Sequence, residues 1–163
     1  MRVHTWLTLV FAMGWALPPG AASPQAAETR TAGDKSPDLA DVVERLISRT
    51  HAVRQQEGRP PVAPNPQLTA AAQDFATFMV RIDRLSHAAD GKTPAERAKA
   101  HGYDACLIAE NIASQQNPVG FTAEALAQGF FQGWQHSPSH RENLLDPAVT
   151  ETGVGVAQRE QTG

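Results

Sequence analysis

The sequence predicts a domain of the α+β class, and three observations predict it. Apolar residues recur at helical spacing in three segments, around Leu39–Val53, Leu68–Ile82 and Ala125–Trp134. Two shorter stretches, Cys106–Ala113 and Val149–Gln158, read better as strands. The chain is 163 residues long with ordinary apolar and charged fractions, enough for one domain with a real core.

Taken in order, the first element is an expected address label. Arg2 and His4 precede an apolar run from Trp6 to Leu17, then Pro18, Pro19, Gly20 and the small residues Ala21, Ala22 and Ser23. The run falls short of the roughly 18–20 apolar residues that cross a bilayer, so residues 1–23 read as a secretory signal peptide, cut between Ala22 and Ala27. That places the protein outside the cytoplasm, secreted or periplasmic, with no membrane span after processing. Residues 24–36 hold almost no large apolar side chain and read as a flexible leader; 37–163 form the folded domain.

A helix is signalled from Ser36-Pro37-Asp38, with Ser36 as its cap, to about Glu57, and Gly58 stops it. Four prolines between Arg59 and Pro66 make an extended connector. The second helix carries Leu68, Ala72, Phe75, Met79 and Ile82 on one face and ends near Leu85. A polar turn, Ser86–Gly91, precedes the capping box Thr93-Pro94-Ala95-Glu96, whose short helix ends at a left-handed Gly102. Glu110 stands as a lone acid in the first strand, and Thr122 caps the third long helix. The glycines of Gly153-Val154-Gly155-Val156 allow another backbone to approach the last strand. Two strands make no comfortable sheet, so either another strand lies hidden in the connecting segments or the chain stops early.

The stretch from Gly129 to Asn143 concentrates the chemistry. Phe130, Phe131 and Trp134 anchor a helix end in the core, which leaves His136, Ser137, His140 and Arg141 at a rim where Pro138 interrupts the helix. The formal charge of -3, from 14 basic and 17 acidic side chains without long runs, excludes a nucleic-acid surface. Cys106 is the single cysteine, so no internal disulfide forms, and it reads as a half-buried small hydrophobe.

Four ordered motifs carry a resemblance: S-H-A-A-D-G-K-T-P-A-E-R-A-K-A-H-G-Y, then A-E-N-I-A, then W-Q-H-S-P-S-H-R-E-N-L-L, then T-E-T-G-V-G-V-A. Together they resemble the CAP superfamily, which includes cysteine-rich secretory proteins, antigen five and pathogenesis-related proteins of the first class. The match is to its small, disulfide-free bacterial branch. The resemblance implies a three-layer alpha-beta-alpha sandwich with a central, mostly antiparallel sheet. It also implies a cleft holding two histidines, His87 and His140, with Glu110 in the acidic place. Ala109 stands where the family usually has glycine, and Ser137 where many members carry a second glutamate. Members generally continue past G-V-G-V into a final aromatic-rich strand, so a sheet short of that strand is expected here.

Several chemistries fit these residues. His87 and His140 with water can hold a divalent metal such as zinc while Glu110 orients the water, which gives a metal-assisted hydrolase. Ser137, His140 and Glu110 are the right types for nucleophile, base and orienter, but no glycine elbow surrounds Ser137, and a hydroxyl capping the next turn is the commoner role. A His140–Glu110 bond bracing the loop to the sheet is the structural alternative. Two nitrogens are fewer than the three protein ligands usual in catalytic zinc. The leading reading is therefore a monomeric binding module at the cell envelope, whose cleft of His87, Glu110, Ser137 and His140 takes a small molecule, a lipid or a cell-wall component.

Overall fold

The structure, a computed structural model, describes residues 2–14, 36–117 and 119–161. Helix α1 is Leu39–Gln56, α2 Pro66–Ile82, α3 Pro94–Ala100, α4 Ala123–His136 and α5 Pro138–Leu145; strand β1 is Arg2–Gly14, β2 Ala63–Pro64, β3 Ala105–Asn117 and β4 Glu151–Gln161. Local chemistry sets most of the boundaries. Asp38, rather than Ser36, caps α1, its carboxylate accepting from Ala40 N at 2.9 Å. Asn65 caps α2 ahead of Pro66, and Asp83 closes it with φ 54°, two residues before the expected end. Thr93 and Glu96 form the expected capping box on α3, and Gly102 follows with φ 81°. Pro138 does not end helical structure; it sits in the first turn of α5, where a missing N–H costs nothing.

Four strands form one sheet in the order β2-β4-β1-β3. Two of them lie outside the sequence expectation. The proline-rich connector contributes β2, whose Ala63 and Pro64 pair in parallel with Glu151 and Thr152. The apolar run read as a signal peptide contributes β1, which pairs antiparallel with β3 on one side and β4 on the other. The antiparallel character of the sheet rests wholly on β1, since pairing among the later strands is the short parallel one. The expected cleavage region and nearly all of the leader lie outside the described residues.

Alternation along the strands sorts side chains into two layers of helices. On one face, Val154 and Val156 of β4 and Ala109 and Ala113 of β3 pack with α1 and α4 around Leu46, Phe130 and Trp134. On the other, Ala157 and Ile112 meet Phe75 and Met79 of α2, and Ile108 lies beside Ala98 and Tyr103. The expected three-layer arrangement follows. A buried arginine ties the first layer together: Arg54 donates to the carbonyls of Pro60, Leu144, Asp146 and Val149 at 2.7–3.3 Å, clamping the turn between α5 and β4 onto α1. Cys106 is exposed rather than half-buried, because it falls on the outer strand.

Candidate functional site

The candidate site is built on the outer strand β3, where successive residues face opposite layers. Glu110 points with Ile112 toward α2 and α3; Asn111 points the other way, toward α5. His87, in the turn after α2, lies with Nδ1 2.7 Å from Glu110 Oε1, its side chain 54% exposed while that of Glu110 is 2% exposed. Arg97 of α3 meets the same carboxylate through a single guanidinium nitrogen, Nη2, which donates at 3.1 Å to Oε1 and 2.9 Å to Oε2. Asp90 closes the turn after His87: Oδ1 accepts from Lys92 N at 3.1 Å, and also from Arg97 at 2.8 Å.

On the far side of the strand, Asn111 Nδ2 donates to the His140 carbonyl at 3.0 Å, and Asn143 Nδ2 donates to Asn111 Oδ1 at 2.8 Å. Asn143 also approaches the Glu110 carbonyl at 3.4 Å. This asparagine pair, with Arg97, does the tying of α5 and α3 to the sheet that a His140–Glu110 bond was expected to do. Burial lowers the pKa of His140, and the charge of His87 lowers it further. The charge felt at His140 thus comes from a histidine 53 residues away in sequence.

Ser137 does not join them. Its Oγ lies 3.4 Å from Ser139 Oγ, and it occupies the cap position of α5 without a side-chain capping bond, so neither the nucleophile role nor the capping role takes shape. Among the described residues no group of three or more His, Cys, Asp or Glu is arranged to hold a metal ion. Arg141 pairs with Glu57 of α1 at 2.7 Å. Both partners are close to half exposed, so the pair is worth about 0–1 kcal/mol. His136 is exposed on α4, His51 meets the Val62 carbonyl at 2.8 Å and His101 meets Asp74 at 3.3 Å.

A separate cleft of about 800 Å³ opens where α5 meets the end of α1, between Glu57, Arg59, Pro138, Arg141 and Asp146. It does not touch His87, Glu110 or His140. Helix α5 thus presents two faces, one to this cleft and one, through His140 and Asn143, to β3. The residue that sequence reasoning missed is Arg97. Its signal was the capping box, which fixes α3 and puts Arg97 one turn inside it, although no residue pattern in so short a helix shows which face is buried.

The "Uncharacterized protein YkwD" of Bacillus subtilis (strain 168) is 26% identical over 138 residues, covering 83% of this chain and 51% of that protein. The chain thus spans about half the length of the curated relative it matches. No solved structure matches. Residues 47–163, which include β3, β4 and every residue of the candidate site, match the CAP family, described as the cysteine-rich secretory protein family. The chain belongs to the CAP family.

Proposed function

We propose that this CAP domain is an exported, monomeric binding module of the cell envelope, whose His87–Glu110–His140 site recognises a small molecule, a lipid or a wall component. One observation carries the choice of binding over hydrolysis. Both oxygens of the Glu110 carboxylate are held by the Arg97 guanidinium, and one also meets His87. A carboxylate so engaged has little capacity left to take a proton from water. What remains open to a ligand is the half-exposed imidazole of His87, whose charge is felt at the partly buried His140. Export is supported by the apolar run behind Arg2 and the small residues around Ala22. A molecule cut there loses β1, so the fold with β1 in place is that of the unprocessed chain.

Isothermal titration of the purified protein against envelope lipids, glycan fragments and divalent ions tests the reading. We expect binding by one of these classes, weakened about ten-fold or more by His87→Ala and by His140→Ala, on the scale of a central contact. Silence across all three classes, or affinity indifferent to both substitutions, ends it.

The competing reading, a metal-assisted hydrolase, has one observation in its favour: of the two imidazoles, the charge of His87 is felt at His140. With Glu110 committed to Arg97, they are fewer than the three protein ligands of a catalytic zinc, so the residues present do not make a catalytic metal set. Stoichiometric metal by elemental analysis, lost together with turnover in His140→Ala, would reverse this preference.

A further inference from the structure

We infer that Arg97 is the positioning residue of the site: through Glu110 it dictates which ring nitrogen of His87 faces the ligand. Arg97 lies outside the expected cleft set, on a helix whose register Thr93 and Glu96 fix. Its side chain is 7% exposed, and its guanidinium reaches both oxygens of Glu110, Asp90 Oδ1 at 2.8 Å, the Lys92 carbonyl at 2.9 Å and the His87 carbonyl at 3.0 Å. The remaining face lies 3.5 Å from the centroid of the Phe75 ring. A planar fork satisfies this many acceptors in two directions, and an ammonium does not.

The consequence for His87 follows from proton accounting. A carboxylate as enclosed as Glu110 keeps its charge only beside a hydrogen-bonded cation, and Arg97 is that cation. An ionised carboxylate accepts and does not donate, so across the 2.7 Å contact the hydrogen belongs to His87 Nδ1. In the neutral ring the lone pair then sits on Nε2, the nitrogen away from Glu110. An unrestrained neutral histidine prefers the opposite tautomer. Arg97 also holds the backbone of His87 through its carbonyl, so one guanidinium sets both where the ring hangs and how it is protonated. Where the site acts as the ligand cleft proposed above, the atom it offers from His87 is an acceptor, and the matching ligand group is a hydroxyl, an amine or a cation.

The test needs no ligand. A long-range 1H–15N correlation spectrum of the full chain, recorded well above the ordinary histidine pKa of about 6.5, reports the tautomer directly. In the native chain we expect His87 protonated on Nδ1, with the other form at least on the order of ten-fold rarer, as a charge-assisted bond dictates. In folded Arg97→Met the ring should revert toward the Nε2-protonated form. Arg97→Lys, which keeps a cation but not the fork, should lie between, and serves if the methionine variant does not fold. A native ring protonated on Nε2, or an Nδ1-protonated ring that survives loss of the guanidinium in a folded variant, overturns the inference. Failure of the native chain to bind any ligand while the tautomer pattern holds would sink the binding proposal and leave the role of Arg97 standing.

Discussion

At His140 burial and a neighbour's charge act in one direction, both making the protonated ring unfavourable in the folded chain. The sign of the stability effect follows. Unfolded, the side chain titrates near its ordinary value of about 6.5; folded, it titrates lower, so between the two the unfolded chain binds the extra proton. Stability falls as pH drops from that ordinary value toward the folded one, and levels off below it. Thermal unfolding of the native protein and of His140→Gln, compared from neutral pH downward, should show the native curve falling more steeply. Parallel curves would mean that the imidazole is not set apart from water as the structure has it.

Single residues differ in how far the sequence exposes their partners. His87, Glu110 and His140 were legible because the resemblance assigns them to a cleft, whereas Arg97, although inside the first of the four motifs, and Arg54 were not. A buried arginine is recognisable by what surrounds it, and the four carbonyls around Arg54 come from two distant segments of the chain. Nothing in the helical spacing of α1 distinguishes a guanidinium directed inward from one in solvent. The bond expected between His140 and Glu110 failed for a related reason. Adjacent strand residues face opposite sides, and it is Asn111, not Glu110, that faces α5.

Among the elements, the closest contact is α2 against β4, and two glycines make it possible. A methyl at Gly155 would lie 2.2 Å from Gln73 N and 2.3 Å from Ala72 C; one at Gly153 would lie 2.2 Å from Leu68 C. These neighbours are helix backbone and cannot rotate away, so Gly155→Ala must lift α2 from the sheet. Ordinary overpacking costs about 1–3 kcal/mol, and a backbone clash of this depth belongs at or above the upper end. Gly133, on the exposed face of α4 with nothing within 4 Å of the same added methyl, is the control. Gly133→Ala should be neutral or stabilising by up to about 1 kcal/mol. Urea unfolding of the two variants separates the readings: similar midpoints would show that the glycines of β4 are not there for packing. The need for close approach was readable from glycines two apart in a strand. That α2 is what approaches was not, because its alanines could have met any flat surface. Likewise Pro138 was rightly read as an interruption, yet its place in the first turn of a new helix depended on seven further residues continuing it.

For the whole molecule, the decisive feature is the position of β1. It pairs with β3 over twelve register positions and with β4 over eleven, while β3 and β4 do not pair with one another. Without β1 the sheet parts down its middle, leaving β3 held by the helices of both layers and by the Asn111 and Glu110 contacts alone. Two facing rows of unpaired backbone groups would then be open to any extended segment. A protein made without residues 1–23 should accordingly lose well over about 4 kcal/mol of stability, or associate through the opened strands. Adding a peptide of residues 2–14 should restore the native melting temperature and the monomer, read by calorimetry and by sedimentation. A truncated chain that stays monomeric and melts where the full-length protein melts would show that β1 is dispensable. The same truncation approximates the form that the export proposal requires after cleavage, so the outcome also bears on that proposal. A processed molecule that keeps the His87–Glu110–His140 site in order has to fill the position between β3 and β4 with some other strand.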